Sequence, residues 1–343
     1  MHEARRILVT GASGAIAGKL LQHLEADARV AFVAGMDRSD PTVTLGRAEF
    51  IRADLRGAEI AKVVASTQID TIAHLGVLAT PNRAGGRTRM KETNVVGTMH
   101  LLAAAQASAR VRRIVMKSST AAYGSTFSDP ALFREDTDVG HSASGYAKDL
   151  IEAERYARSL ARRRSDISVS ILRMANQVGP TVRTPLTAYF HLPVLPTVLG
   201  YDPRIQLLHE DDAVGLVANM LRDPVPGTFN VAGSGILYLS QAIRMAGKPS
   251  VGVPRPFMEG LGGLVRRTGA VDFPSDQLRF LLYGRVGDIS AMREQLGYEP
   301  AFSTQAALKT FLTGQGIRPV VDRQRLQELE RRAADILGVE HTP

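Results

Sequence analysis

Short β-branched or apolar runs alternate with longer segments of helical period through the first half of the chain. Strands are predicted at residues 7–10, 30–35, 49–53, 71–75, 113–117 and 168–172. Helices are predicted between them at residues 14–25, 59–66, 91–109 and 145–163. Such alternation is typical of repeated βαβ units, so the predicted fold class is α/β with a doubly wound parallel sheet.

The pattern changes after Asn176, where the chain becomes rich in proline and irregular. Residues 205–218 predict one more helix, and residues 227–232 predict one more strand that returns to the sheet. We therefore predict a large nucleotide-binding domain and a smaller, discontinuous C-terminal substrate lobe. The large domain comprises residues 1–175 and 205–235, and the lobe comprises residues 176–204 and 236–343.

Composition excludes several classes of site. The chain has 343 residues, a formal charge of +8 and no cysteine, so it has no disulfide, thiolate metal site or cysteine nucleophile. The eight histidines lack metal-ligand spacing, and no metal is predicted. The basic residues form no recognisable nucleic-acid-binding motif, so no nucleic acid is predicted. No apolar run reaches the ~18 residues of a membrane span, and we expect a cytoplasmic protein without a membrane partner.

The first chemical motif is a glycine-rich turn that contains Gly11, Gly14 and Gly18, between the first predicted strand and helix. Such glycines allow the backbone to approach a pyrophosphate, which then lies on the positive N-terminus of the helix. Asp37 ends the next predicted strand, 26 positions after Gly11, as expected for an acid that binds an adenosine ribose. The turn and the acid together predict dinucleotide binding.

With these features the chain resembles the extended short-chain dehydrogenase/reductases, the family that is similar to the NAD-dependent epimerases and dehydratases. The resemblance implies a Rossmann-type fold for the predicted sheet. The shared motifs occur in order along most of the chain: Thr10-Gly11-x-x-Gly14, Ala53-Asp54-Leu55, Asp70-Thr-Ile-Ala-His74-Leu75-Gly76, Asn94-Val-Val-Gly97-Thr98, Ser118-Ser119-Thr-Ala-Ala-Tyr123-Gly124, Arg173-Met-Ala-Asn176-Gln-Val-Gly179-Pro180 and Leu208-His209-Glu-Asp-Asp212.

The resemblance implies a set of cofactor-binding residues. The pyrophosphate would lie on Gly11, Ser13, Gly14, Ala15 and Ile16. The adenosine half would contact Asp37, Arg38, Asp54 and Leu55. The cleft and the nicotinamide half would be lined by Leu75, Gly76, Val77, Asn94, Lys148, Ala175 and Gln177. His74 and Asn94 have an alternative interpretation as satisfied polar groups of the core.

Two neighbouring residues bear on the choice of cofactor. Asp37 would pair with a ribose 2′-hydroxyl, which favours NAD(H). Arg38 would bind a 2′-phosphate through a charge-assisted fork, which favours NADP(H). The basic chain tilts the prediction toward NADP(H).

The catalytic positions match the family only in part. In the family a Ser or Thr acts with a Tyr that lies four residues before a Lys. Ser119 and Lys148 match, but Ser144 occupies the tyrosine position, and an aliphatic hydroxyl is too weak an acid for that role. Tyr146 lies two residues before Lys148, roughly 200° around the helix, so we expect it in the core or an interface.

Three explanations of this departure remain open. The protein binds a cofactor without catalysis, or another residue supplies the proton, or the substrate supplies its own. Ser144 is a third candidate catalytic residue with Ser119 and Lys148, although it has an alternative interpretation as a small residue that makes room.

A second departure concerns the substrate. Many family members that act on sugar nucleotides carry a phosphate-binding arginine four residues before the position of His209. That position is Ile205 here, and we expect its neighbour Arg204 on the other face of an extended segment. The lobe instead offers an apolar set, of which about two thirds are expected in its core: Phe190, Leu192, Val194, Leu195, Tyr201, Phe257, Met258, Leu261, Phe280, Leu281 and Tyr283.

Both departures favour a nicotinamide-dependent ketoreductase that reduces a carbonyl of a large aromatic, polyketide-type substrate. Ser119 would orient that carbonyl, and a phenol of the substrate would donate the proton. The chain resembles the atypical ketoreductases of antibiotic biosynthesis, in particular the simocyclinone-type angucyclinone ketoreductases. The alternatives are a nucleotide-sugar epimerase or dehydratase and a non-catalytic NAD(P) sensor. The helices at residues 91–109 and 145–163 would form a homodimer interface or pack within a monomer.

Overall fold

The structure, a computed structural model, describes residues 4–139, 145–256 and 275–319. Seven parallel strands form its main sheet, in the order β11-β6-β5-β4-β1-β2-β3. These strands are β1 (Arg5–Thr10), β2 (Val30–Asp37), β3 (Glu49–Arg52), β4 (Thr71–His74), β5 (Arg113–Ser119), β6 (Ser168–Met174) and β11 (Gly227–Val231). The predicted Rossmann-type parallel sheet is therefore confirmed.

Helices cover both faces of this sheet, because each face buries a continuous apolar cluster. The first face packs against α1 (Ala15–Glu25) and α8 (Glu210–Arg222). The second face packs against α2 (Glu59–Ser66), α5 (Thr98–Ala107) and α6 (Gly145–Arg163). Within the described part of the chain, no helix is both long and apolar enough to span a membrane.

Two predicted helices differ from the structure. The predicted helix at residues 91–109 is divided into α4 (Arg87–Lys91), a π-helix (Glu92–Gly97) and α5, preceded by the short α3 (Pro81–Ala84). The predicted helix at residues 205–218 begins only at Glu210, because His209 has an extended backbone and its ring accepts a hydrogen bond from the Asp211 N–H.

The part of the chain outside the main sheet forms small two-stranded ladders and short helices. The ladders are β7 with β10, β9 with β12 and β8 with β13. Their strands are β7 (Asn176–Val178), β8 (Leu195–Val198), β9 (Arg204–Ile205), β10 (Leu207–His209), β12 (Leu237–Tyr238) and β13 (Ser250–Val253). The helices are α7 (Pro185–His191), α9 (Leu239–Ala246), α10 (Ser275–Tyr283), α11 (Ser290–Leu296) and α12 (Thr304–Gly314).

A separate apolar cluster holds these elements together. Phe190, Leu195, Phe280 and Leu281 are fully buried in it, as expected for core residues of the lobe, whereas Val194 and Tyr201 are exposed. Phe257, Met258 and Leu261 lie outside the described residues. The predicted division into two domains stays a prediction.

A buried ion pair fixes α6 to the sheet beneath the end of β5. Arg173 donates to both carboxylate oxygens of Glu154 at 3.1 and 2.8 Å, and both side chains are almost completely buried. Ser118 and Arg158 also donate to this carboxylate. Burial alone would raise the pKa of Glu154, but the hydrogen bonds from Arg173 and Ser118 hold that pKa below its usual value. The carboxylate therefore stays charged.

We expect Arg173→Met to lower the free energy of unfolding by about 3 kcal/mol or more, because it leaves a buried carboxylate without its main partner. The control is Arg158→Ala, which removes a second, 37% exposed partner of the same carboxylate and should cost less than about 1 kcal/mol. Urea denaturation followed by circular dichroism measures both. Equal losses of unfolding free energy in the two variants would contradict the claim that the Arg173–Glu154 pair is the main contact that fixes α6 to the sheet.

Candidate functional site

Most of the predicted site residues lie at one edge of the main sheet, where the carboxyl ends of its parallel strands meet. Ligands of doubly wound folds bind outside this edge. Gly11 follows β1, Asp37 ends β2, Leu75 follows β4 and Ser119 ends β5. Ala175 follows β6, and its N–H donates to the Val231 carbonyl of β11 at 2.8 Å. The fold thus brings together residues that are far apart in sequence.

The glycine turn after β1 is held in a shape that only glycine permits. Gly11 has a φ of +78°, and a Cβ there would lie 2.6 Å from the Gly76 Cα. Such a separation is too short for any side chain, so the two backbones touch directly. The Gly14 N–H donates to the Gly11 carbonyl at 2.9 Å, and α1 begins at the next residue, Ala15. The turn therefore leads directly into the N-terminus of α1, an arrangement that suits a pyrophosphate.

Ser13 joins this turn to the end of β2. Its N–H and its hydroxyl both donate to Oδ2 of Asp37, at 3.1 and 2.7 Å. The other carboxylate oxygen of Asp37 accepts from the Arg38 N–H at 2.7 Å. These bonds fix the carboxylate at the position where an adenosine ribose is expected. Ile16, the second residue of α1, is buried in the core between α1 and the sheet.

Positive charge surrounds the second predicted contact of the adenosine half, Asp54. Arg56 donates to both carboxylate oxygens of Asp54, and this bonding holds the pKa of Asp54 below its usual value. The same guanidinium donates to Glu92 at 2.9 Å. Arg38 lies 3.8 Å from Asp54 and remains 46% exposed. Leu55 is buried and would meet any Cβ placed at Gly97.

His74 is a neutral core residue in this structure. Its two ring nitrogens contact the hydroxyls of Thr10 at 2.7 Å and Thr98 at 2.8 Å. Complete burial lowers its pKa to about 4, so the ring carries no charge at neutral pH. The Thr10 hydroxyl also accepts from the Gly76 N–H, so this chain of hydrogen bonds fixes the Gly76 backbone against Gly11.

Asn94 shapes the floor of the cleft. Its amide oxygen accepts from the Leu78 N–H and its amide nitrogen donates to the Leu78 carbonyl, each at 2.8 Å. The side chain is buried, at 1% exposure, so the alternative interpretation as a satisfied core group describes it well. It belongs to the π-helix, an element that is rare and often found at functional sites. The pair of bonds holds the segment that carries Leu75, Gly76 and Val77.

Two of the three predicted catalytic residues are described. Ser119 is half-buried, and its hydroxyl accepts from the Ala121 N–H at 3.2 Å, where a short 3₁₀ helix (Thr120–Tyr123) begins. Lys148 is exposed in the first turn of α6. Ser144 lies outside the described residues. Tyr146 is half-buried and packs with Val77 against a small apolar cluster, as expected for a core or interface residue.

Arg87 fixes the first turn of α6, and sequence reasoning missed it. Its guanidinium donates to both carboxylate oxygens of the buried Asp149, at 2.6 and 2.7 Å, and to the Gly145 carbonyl at 2.7 Å. These contacts join α4 to the start of α6. Because Lys148 precedes Asp149 directly, the same contacts position the lysine.

Lys117 is a further cation at the sheet edge that sequence reasoning missed. It lies on β5, two residues before Ser119, and its ammonium donates to the side-chain oxygen of Gln177 at 3.1 Å. Gln177 is 8% exposed and also donates to the Met174 sulfur. The signal in the sequence was a lysine directly after the apolar run of residues 114–116 in β5.

A cavity of about 420 Å³ lies between the segment after the 3₁₀ helix and the lobe. Arg204 and Arg285 line it, together with Phe127, Tyr201, Tyr238 and Tyr283. Phe127, Tyr201 and Tyr238 are all partly exposed, at 89%, 37% and 45%. Asp129 and Asp202 also line it, but both carboxylates accept hydrogen bonds from their neighbours, Thr126 and Ser240.

The structure shows where Ile205 and its neighbour Arg204 lie on β9. Ile205 is fully buried in the lobe core, and Arg204 lies on the opposite face of β9 as expected. That opposite face is the one that lines the cavity, where Arg285 joins Arg204. The sequence gave no signal for this pairing, because the two arginines are separated by 80 intervening residues.

The fold and the sheet-edge site define an α/β protein built to bind a nicotinamide dinucleotide. A family model described as "NAD dependent epimerase/dehydratase family" matches residues 7–232. The chain belongs to this family. The match confirms the broader resemblance drawn from the sequence motifs, and it leaves the narrower resemblance to polyketide ketoreductases without support.

Individual relatives agree with this family. An uncharacterized protein of Mycobacterium tuberculosis is 41% identical over 96% of this chain and 89% of its own length. A UDP-glucose 4-epimerase of Mycolicibacterium smegmatis is 32% identical over 51% of this chain and 57% of its own length. The structure of a UDP-glucuronic acid 4-epimerase from Bacillus cereus has a TM-score of 0.71 at 19% identity and covers 91% of this chain and 99% of its own. This last likeness shows the fold.

We expect Gly11→Ala to abolish detectable cofactor binding, because a Cβ at this position collides with the Gly76 backbone. The matched control is Gly235→Ala, since Gly235 has a similar φ of +73° but open space around its missing Cβ. Both variants carry the strain of about 1–2 kcal/mol that a Cβ causes at a positive φ. Only Gly11→Ala also distorts the turn. Isothermal titration with NAD(H) measures this, and normal binding by Gly11→Ala would contradict the assigned turn.

Proposed function

We propose that this protein is an NAD(P)-dependent oxidoreductase that acts on a nucleotide sugar. The observation that supports this proposal most is the cavity lined by Arg204 and Arg285. Two guanidinium groups suit the paired charges of a diphosphate through charge-assisted forks. The partly exposed aromatic rings offer flat surfaces for a nucleobase. The sequence motifs alone favoured an aromatic ketone, whereas two arginines in the cavity suit an anionic substrate.

The position of the cavity relative to the sheet edge supports the same proposal. Its lining begins at Thr126, seven residues after Ser119. Ser125 donates to the Gly284 carbonyl, and Arg285 follows Gly284 directly, so the chain after Ser119 is joined to the arginine side of the cavity. We infer that a sugar diphosphate bound there would extend its sugar toward the end of β5. The name of one relative, a UDP-glucose 4-epimerase, agrees with such a substrate.

The residues at the sheet edge fit a nicotinamide dinucleotide, because the Gly11 turn packs directly on the Gly76 backbone and leads straight into the N-terminus of α1, where a pyrophosphate binds. The pyrophosphate would be held by the backbone from Gly11 to Ile16, and the adenosine ribose by Asp37. Lys148 would hold the nicotinamide ribose. When bound, the nicotinamide supplies or accepts the hydride. Ser119 would orient the oxygen of the reacting carbon by hydrogen bonding.

The proposed preference for NADP(H) rests on Arg38. Its guanidinium is 46% exposed and lies beside the expected ribose, whereas the carboxylate of Asp37 already accepts bonds from Ser13 and the Arg38 N–H. Arg56 adds a second cation nearby. A 2′-phosphate would therefore meet positive charge as well as the Asp37 carboxylate.

A second candidate is reduction of a ketone that carries its own phenol. The observation that favours it is the serine at position 144, four residues before Lys148, where the family has a tyrosine. A ketone with an adjacent phenol needs no protein acid. A non-catalytic sensor is less well supported, because both Ser119 and Lys148 are retained.

We expect Arg204→Gln and Arg285→Gln each to weaken binding of UDP-glucose and of UDP by about tenfold or more, since each removes a charge-assisted contact to phosphate. Affinity for the cofactor should not change. Arg244→Gln, on the exposed face of α9, is the control and should bind as the wild type does. Titration calorimetry measures these constants.

The same proteins are then incubated with reduced and oxidised cofactor and with UDP-sugars, dTDP-sugars, 2-hydroxyaryl ketones and their O-methyl ethers. Turnover of the nucleotide sugars supports the proposal. Turnover confined to the 2-hydroxyaryl ketones, with no UDP binding to the wild type, would overturn it in favour of the second candidate.

We expect Arg38→Ala to raise the dissociation constant of NADP(H) by about tenfold while leaving that of NAD(H) nearly unchanged. The variant loses only the contact with the 2′-phosphate, and NAD(H) has no such phosphate. The control is Arg29→Ala, an exposed arginine at the opposite end of β2. Quenching or enhancement of cofactor fluorescence gives the constants. An unchanged NADP(H) affinity in Arg38→Ala refutes the assigned role.

A further inference from the structure

Lys117 and Ser119 lie on the same face of β5. Side chains alternate between the two faces of a strand, so residues two apart share a face. Ser118, between them, is buried on the opposite face, where it donates to Glu154 of α6. Val115, two residues before Lys117, belongs to the apolar cluster beneath α1 and α8. Lys117 therefore stands above this cluster at the edge of the sheet.

The contact of Lys117 with Gln177 places its ammonium in the expected nicotinamide cleft. Gln177 lies on β7, in the segment that the family resemblance assigns to the nicotinamide half. The Lys117 Nζ donates to the Gln177 Oε1 at 3.1 Å. In the sheet, Lys117 pairs with Leu172 and Ser119 pairs with Met174, so the wall on this side is apolar. A half-buried ammonium thus lies between the end of β5 and β7.

This ammonium has the chemistry that the family's missing phenol would supply. A lysine ammonium in water has a pKa of about 10.4, close to the value of about 10 for a tyrosine phenol. The two groups are therefore comparable proton donors, whereas the serine hydroxyl at position 144 is not. A positive charge also stabilises an oxygen that becomes negative during hydride transfer.

We propose that Lys117 is the proton donor and acceptor of the hydride-transfer site, beside Ser119. This inference deepens the proposed function and rests on it. In reduction, the bound cofactor would supply the hydride that forms the new C–H bond, and the C=O π pair would move to the oxygen. That oxygen takes a proton from the Lys117 ammonium, and the resulting amine regains a proton from water. In oxidation, the neutral amine takes the hydroxyl proton as the hydride leaves.

The first test asks whether Lys117 faces the cofactor cleft, and it needs no substrate. The full-length protein is acetylated with limiting acetic anhydride, with and without saturating NAD(P)⁺, and peptide masses give the rate at each lysine. We expect bound cofactor to slow acetylation of Lys117 severalfold and to leave Lys62, exposed on α2, unchanged. Equal slowing or no slowing at the two lysines would overturn the placement.

The second test measures proton transfer. Lys117→Met keeps most of the side-chain volume and should lower the single-turnover rate by about 10²-fold or more, while the cofactor dissociation constant stays near the wild-type value. Lys117→Arg keeps the charge but is a far weaker acid, so it should also be slow. Added methylamine or ethylamine should partly restore the rate of Lys117→Ala. Lys62→Met is the matched control and should be as active as the wild type.

The choice of substrate distinguishes a failure of this inference from a failure of the proposed function. If no nucleotide sugar or aryl ketone turns over, the rates are measured with 4-nitrobenzaldehyde and reduced cofactor, since this carbonyl has no acid of its own. A rate for Lys117→Met within about threefold of wild type would overturn the inference, whatever the substrate. Full activity of Lys117→Arg, or failure of both amines to restore Lys117→Ala, would also overturn it.

Discussion

The direct contact between Gly11 and Gly76 is the constraint on which the site depends. A Cβ at Gly11 would lie 2.6 Å from the Gly76 Cα, so the turns after β1 and β4 meet with nothing between their backbones. Thr10 holds this arrangement through its bonds to the neutral His74 and to the Gly76 N–H. The open N-terminus of α1 and the fixed carboxylate of Asp37 are then presented to the same space. We expect cofactor binding to depend on how these backbones meet.

The two faces of β5 carry groups with different roles: a buried ion-pair network on one face and the proposed reactive side chains on the other. On one face Ser118 belongs to a buried group with Glu154 and Arg173, which fastens α6 to the sheet. On the other face Ser119 and Lys117 lie toward the cleft, where Gln177 accepts from the lysine. Strand alternation alone produces this separation. We infer that it lets one strand carry both a rigid support and a reactive pair.

The sequence was sufficient to predict the sheet and the glycine turn, because both depend on local patterns: strand and helix periods, and glycines between them. The break of the predicted helix at residues 91–109 was not predictable from its period, since it depends on Asn94 bonding the Leu78 backbone. The helix predicted from residue 205 begins five residues later, because His209 caps it. Lys117, Arg87 and the cavity pair of Arg204 and Arg285 were missed, because only tertiary contacts give them their roles.

We propose that this site transfers a hydride without a tyrosine at position 144. The most direct test is one turnover with cofactor that carries deuterium at nicotinamide C4, followed by mass spectrometry and NMR of the products formed from the nucleotide-sugar and ketone panel. We expect deuterium at a single carbon, on one face, with a primary isotope effect on the rate. Tight binding of the cofactor with no deuterium in any product would contradict this proposal and identify a protein that binds the cofactor without using it.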